Sequence, residues 1–200
     1  MDCTTFVESI VALSLTAAEN GNFTDYSRNL QKVRYRNAQC NSYPDRLHYI
    51  SQWIDDNRQK GIIDEITTPS HIAIQELDLN FMSSNPGSYP QLKNNAAYIA
   101  KIAEHEAPYR NRVVRYIPKH LLNFSRAASG IEDGDILAIV TAIKGLDVTH
   151  VGFAYWIDGK LHLIHASSGK GNIIIDPVPL YDYMGSKKNN LGIRVIRVRH

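Results

Sequence analysis

The dipeptide Asp158-Gly159 stands between two apolar runs, and no other feature constrains the fold as tightly. It signals a two-residue type I′ hairpin, a turn whose two central residues both need φ > 0. With the loop at 158–159, residue 157 pairs with 160. His150 then lies opposite Ser167, and His165 opposite Gly152. Side chains alternate along a strand, so both histidines share one face as diagonal neighbours, roughly 7–8 Å apart between backbones. His162 falls on the other face by the same parity. Gly152 leaves open space opposite His165. A one-residue slip would undo the pairing, so the turn carries the arrangement.

The hairpin belongs to a β-rich last third, with strands predicted at about 135–143, 149–157, 160–167, 172–176 and 191–199 after a loop over 130–134. Helices come first. Phe6, Ile10, Leu13 and Ala17, widened by Val7 and Val11, recur at helical spacing over 3–18. Asp2 suits the N-cap, and Asn20-Gly21-Asn22 stops the helix. Further helices are predicted over 24–35 and over 46–60, the latter from Leu47, Ile50, Trp53 and Ile54. Signals mix between 61 and 125: the alternation from Ile72 to Leu79 is ambiguous, Asn85-Pro86-Gly87-Ser88 and Tyr89-Pro90 are turn chemistry, and 92–106 reads as helix. This segment is expected to be a mostly helical or irregular insertion that shapes a substrate cleft. Helices followed by a run of strands predict one α+β domain over 1–200 with an antiparallel sheet.

Composition excludes several function classes. A net charge of +2 implies no broad nucleic-acid footprint. The densest basic patch, Arg110, Arg112 and Arg115, reads as a solvated face. No run of about 18 apolar residues suggests a transmembrane helix, and no basic n-region marks a signal peptide, since Asp2 follows Met1 directly. Two cysteines, Cys3 and Cys40, make no disulfide framework in a chain of 200 residues. Cys40 reads as a small buried hydrophobe.

Cys3 is different because it opens a helix. A thiol ionises weakly at neutral pH, with an ordinary pKa of about 8.5. A helix N-terminus and a neighbouring imidazole both favour the thiolate. A second imidazole can fix the tautomer of the first, and helix-start amides can cradle an oxyanion. Cys3, His150 and His165 thus offer nucleophile, base and orienter for acyl transfer from an amide or ester. Other chemistry is poorly supported. His105-Glu106-Ala107-Pro108-Tyr109 lacks the second histidine of a zinc-protease helix. Ser168-Gly169-Lys170-Gly171 lacks Walker spacing and reads as a turn. No metal or cofactor is called for. His48, His71, His105, His120 and His200 have no evident partner and read as structural or solvated.

These residues resemble a known family. Asp2-Cys3-Thr4-Thr5-Phe6-Val7-Glu8 resembles the nucleophile motif of NlpC-type papain-like cell-wall hydrolases. Gly134-Asp135-Ile136-Leu137, Thr149-His150-Val151-Gly152-Phe153 and His165-Ala166-Ser167-Ser168 resemble their strands bearing base and orienter. Val33-Arg34-Tyr35-Arg36, Arg46-Leu47-His48-Tyr49 through Trp53-Ile54, and Tyr116-Ile117-Pro118-Lys119 are similar to one branch, the bacterial N-acetylmuramoyl-L-alanine amidase-like proteins. The resemblance implies a papain-like fold, with the Cys3 helix packed on the sheet. It implies cleavage of the amide between muramic acid and L-alanine in peptidoglycan fragments, including anhydro-muropeptides. Cys3, His150 and His165 would be catalytic, and Asp2, Tyr35, Arg36 and His48 would contact substrate. A periplasmic or envelope location follows from that substrate. Family members carry a substantial segment before the Asp-Cys pair, so the resemblance also implies a chain shortened at its start, with any export signal outside it. Two readings stay open beside this one: an endopeptidase cutting the D-glutamyl–diamino acid bond, and a non-catalytic peptidoglycan-binding domain.

Overall fold

A computed structural model describes residues 1–66 and 72–199; His71 and His200 lie outside them. Asp2 caps the first helix, α1 (Cys3–Ala18), its Oδ1 accepting the Thr5 N–H at 2.7 Å. The cap leaves Cys3 in the first turn, among amides that have no helical acceptor. The buried face of α1 is Phe6, Val7, Val11 and Ala12, whereas Ile10 and Leu13 are 39% and 50% exposed. The expected stripe is therefore rotated. Glu8 accounts for the rotation: fully buried, it takes Arg34 Nε at 2.7 Å and an Arg46 nitrogen at 3.0 Å on one oxygen, so its side of the helix must face inward.

The second helix, α2 (Phe23–Arg34), opens on a capping box between Asn22 and Asp25. The third, α3 (Ile50–Gln59), starts four residues later than expected. Its own N-cap, Tyr49, offers no side-chain bond, and the buried Asp147 carboxylate supplies one, accepting the Ser51 N–H at 2.6 Å.

Among its described residues, the segment 61–125 is mostly helical or irregular, as expected, but it also enters the sheet. It contributes three strands, β1 (Ile63–Ile66), β2 (Ala73–Asp78) and β3 (Arg110–Pro118), with α4 (Phe81–Ser84) and α5 (Ala96–Glu106) between the last two. Both β1 and β3 pair with the last strand, so the segment is part of the sheet. Its alternation was ambiguous because β2 is an edge strand: Ile74 is 61% exposed while Leu77 is buried against Tyr49, Met82 and Tyr109. In the basic patch Arg110 and Arg115 are exposed as expected, but Arg112 forks onto the Asp55 carboxylate.

After α6 (Arg126–Ser129) come β4 (Ile136–Thr141), β5 (Val148–Ile157), β6 (Lys160–Ser167), β7 (Asn172–Ile175), α7 (Leu180–Gly185) and β8 (Asn190–Val198). The eight-stranded antiparallel sheet runs β2-β3-β8-β4-β5-β6-β7, with β1 also on β8. The α+β expectation holds. Asp158 and Gly159 have φ of 48° and 75°, and the hairpin register runs from Ile157↔Lys160 to Phe153↔Ile164, as the turn predicts. Strand β4 is buried along its whole length because both faces are covered. One face packs Ile136, Ala138, Val151, Phe153 and Ala166 against α1 and α3. The other packs Leu137, Ile139, Ala154 and Leu163 against Leu180 and Met184 of α7. By parity His150 and His165 stand on this second face.

Candidate active site

Two features of the β4–β5 edge aim His150. The register passes from Ile139↔His150 to Val140↔Val148, which leaves Thr149 as a bulge. Bulges of this kind redirect neighbouring side chains. Asp147 fixes the start of the strand, since its carboxylate holds the N–H groups of both Ser51 and Val148.

His150 Nε2 lies 2.6 Å from His165 Nδ1, with the two rings nearly perpendicular at 87°. The register thus brings the two predicted imidazoles together. The bond leaves Nδ1 as the free nitrogen of His150. Burial lowers the pKa of His150 to about 4, helped by the repulsion a second charge would meet between the two imidazoles and by the Lys187 cation, so its ring is neutral near pH 7. His165 is buried on the same face.

A third group follows that sequence reasoning missed. Asp176 Oδ2 stands 3.3 Å from His165 Nε2, at ion-pair distance but outside hydrogen-bond alignment. Three bonds anchor Asp176. Its N–H donates to Leu163 O at 2.8 Å, its carbonyl accepts His162 Nδ1 at 2.8 Å, and its Oδ1 accepts the Val178 N–H at 2.9 Å. His162, on the opposite face as predicted, therefore holds the backbone of Asp176. A signal for Asp176 existed. The Ser168–Gly171 turn sets Ser167 opposite Asn172, and continuing that register puts residue 176 opposite Leu163, diagonal to His165.

Cys3 is half-buried at the start of α1 and packs on the cluster that includes Val151 and Ala166. Tyr183 of α7 stands beside the imidazoles. The Tyr183 ring is 6.0 Å from that of His165. Burial raises the Tyr183 pKa, and Asp176 and Cys3 nearby raise it further, so the phenol stays protonated. Cys40, expected in the core, is instead exposed, because it lies on the open turn beside Tyr35.

The suggested substrate contacts gather around Arg46, on the flank of α1. Tyr35 forms an isolated bridge with Arg46. Burial opposes ionisation of Asp2, but bonds from Thr5 and the charge of Arg46 outweigh it and hold the carboxyl below its usual range. His48 gives Nε2 to the Tyr43 carbonyl at 3.0 Å, and burial lowers its pKa to about 4. Arg36 donates to Gln52 Oε1 at 3.1 Å. None of the four lines the cavity of about 430 Å³ that opens beside His150.

A half-buried thiol at a capped helix start, with paired imidazoles and a carboxylate on an antiparallel sheet, defines an α+β scaffold suited to acyl hydrolysis. The chain belongs to the N-acetylmuramoyl-L-alanine amidase-like (AmiA-like) family, which it matches over residues 1–193. It is similar to a crystal structure of a N-acetylmuramoyl-L-alanine amidase from Bacteroides uniformis ATCC 8492, at 37% identity and a TM-score of 0.94 over 100% of this chain and 84% of that one. A Bacteroides fragilis protein proposed to be a xylanase is 38% identical, with a TM-score of 0.91 over 98% and 86% of the two chains. The fold recurs in protein LPG0564 from Legionella pneumophila str. Philadelphia 1, at 24% identity and a TM-score of 0.71 over 100% of this chain and 76% of that one. No curated protein matches the sequence. Among the described residues no helix is long and apolar enough to cross a membrane.

Proposed function

We propose that the chain is an NlpC-type cysteine amidase that hydrolyses the N-acetylmuramoyl–L-alanine amide of peptidoglycan fragments, anhydro-muropeptides among them. One observation carries the reading: His150 Nε2 is committed to His165, which leaves Nδ1 as the base. The carboxylate of Asp176 only accepts, so it favours the proton of His165 on Nε2. Nδ1 of His165 then accepts the Nε2–H of His150, and His150 Nδ1 is unprotonated. Asp176 and His165 are positioning residues in this chain.

The Cys3 thiol gives its proton to His150 Nδ1, and the sulfur attacks the lactyl carbonyl carbon. Amides at the start of α1, where Asp2 caps the first turn, stabilise the oxyanion. The C–N bond breaks and His150 returns the proton to the leaving alanine nitrogen. Water, deprotonated by His150, then cleaves the thioester and frees the muramoyl carboxylate and the thiol. Such a substrate is met in the periplasm or at the cell envelope. The name given to the Bacteroides fragilis protein does not suit this site, since glycoside hydrolysis uses two carboxyl groups flanking the bond. The cavity at His150 is lined by none.

The test is incubation of an anhydro-muropeptide with the protein, followed by mass analysis. Free stem peptide with intact sugar is expected, and none from Cys3→Ala. Cleavage inside the stem peptide, or an equally active Cys3→Ala variant, refutes the reading.

A further inference from the structure

The cavity beside His150 has one sign of charge. Its lining includes Thr149, Tyr183, Lys187, Lys188 and Asn189, and no carboxylate. Among the described residues neither lysine has an ion-pair partner within reach, although both belong to a chain with 20 acidic residues. Lys187 Nζ lies over the Tyr183 ring, 5.6 Å from its centre, and its charge is felt at His150.

The loop that carries the lysines is built in. The Lys187 carbonyl accepts the Asn190 N–H at 3.2 Å and Lys119 Nζ, a third cation, at 3.3 Å. The Asn189 carbonyl accepts the Ala142 N–H at 2.9 Å and Thr141 Oγ1 at 3.2 Å. The loop is thereby tied to the end of β4, whose partner strand bears His150.

We propose that this cavity is the subsite for the carboxylates of the substrate's peptide half, with Lys187 and Lys188 as its cationic walls. The inference rests on the amidase reading and deepens it. In a muramoyl peptide the lactyl carboxyl is consumed in the scissile amide, so the remaining carboxylates all belong to the peptide. The peptide is also the leaving group, and its alanine nitrogen must take a proton from His150. It therefore has to lie on the imidazole side of the thiol. Two independent requirements, charge and proton transfer, point to the same cavity.

The test compares kcat/KM of the full chain on an anhydro-muropeptide with free stem carboxylates and on the same compound with those carboxylates converted to amides. Two exposed charge pairs are worth about twofold to thirtyfold together. The acid form should be preferred by that factor, through KM, and Lys187→Gln/Lys188→Gln should abolish the preference. Equal rates on the two substrates, or a preference that survives the double substitution, overturns the subsite. A second arm needs no turnover. The released acidic stem peptide is added while the His150 imidazole is followed by NMR. A bound anion should raise the His150 pKa from about 4, the amidated peptide should not, and the double variant should not respond. No response to the acidic peptide also overturns the subsite. A lysine-dependent response without cleavage refutes the amidase reading alone, and cleavage without preference refutes the subsite alone.

Discussion

Replacing Asp176 separates a positioning role from a merely structural one, because two substitutions should rank in an unusual order. The carboxylate is 3.3 Å from His165 Nε2, and His150 lies one ring further on. At roughly 9 Å and an effective dielectric of about 20, its attraction for a charge on His150 is about 2 kcal/mol. The side chain is 14% exposed, so solvent trims this to about 1.4 kcal/mol, or tenfold. Asp176→Ala should therefore lower kcat/KM about tenfold. Asp176→Asn should do worse although it keeps the shape. Its amide oxygen would retain the Val178 N–H, which turns the NH₂ group toward His165 Nε2. That nitrogen must then accept, so His165 carries its proton on Nδ1 and donates it to His150 Nε2. His150 is left protonated on Nδ1 and cannot take the thiol proton. A loss on the order of 10²–10³ is expected, below the ~10⁴ found when the carboxylate touches the base directly in a serine protease. The assay is muropeptide turnover, supported by iodoacetamide alkylation of Cys3 in a Cys40→Ser background and by imidazole ¹⁵N shifts, which report the tautomer. Asp176→Asn as active as Asp176→Ala, or an unchanged tautomer, refutes the reasoning.

Gly152→Ala tests the close approach of β6 to Gly152, where the expected open space opposite His165 is in fact filled. A Cβ there would meet Ile164 O at 2.5 Å, Leu163 Cδ1 at 2.9 Å and His165 Cβ at 3.0 Å, and the carbonyl cannot yield without parting β5 from β6. A cost of about 1–3 kcal/mol and a loss of activity greater than tenfold are expected by thermal melting and turnover; normal activity would contradict the proposed positioning of His165. The pH dependence of stability is a separate check. His48 and His150 have native pKa values of about 4 against about 6.5 unfolded, so the unfolded chain binds more protons between those values. Stability should be complete above pH 6.5 and fall with decreasing pH, by roughly 1–2 kcal/mol per histidine down to pH 5. Urea midpoints measured across that interval should drop, and His150→Gln should flatten the slope; a flat wild-type profile contradicts the burial of neutral imidazoles.

Most of the fold was legible where period and punctuation agree. Asp2 and Asn20-Gly21-Asn22 bracket α1, and Asp158-Gly159 sets the β5–β6 register to the residue. Legibility failed where tertiary partners overrule local pattern. Glu8 is charged and sits in a first helix otherwise read from its apolar stripe, yet it is fully buried because Arg34 and Arg46 reach it from 26 and 38 residues away. The segment 61–125 hid its strands because β1 and β3 pair with β8, far along the chain, and pairing at that distance leaves no local period. Arg112 read as solvated because its partner, Asp55, lies on a different element.

The candidate site shows the same division. His150 and His165 come from one hairpin, so a single turn relates them and the sequence exposes them. Asp176 depends on a second turn, Ser168–Gly171, whose length must be known before the residue can be placed beside His165. Tyr183 and Lys187 depend on α7 and the loop after it, which no strand register reaches. Each added member of the site thus needs one more tertiary fact. The consequence is that precision at His150 is held by backbone devices: the Thr149 bulge, the Asp147 anchor and two turns. Shifting any one of them moves an imbalance of tenths of an ångström into a 2.6 Å bond between imidazoles, while most of the core, packed on both faces of β4, is untouched. Substitutions at the Thr149 bulge or in the two turns should therefore cost catalysis before they cost stability.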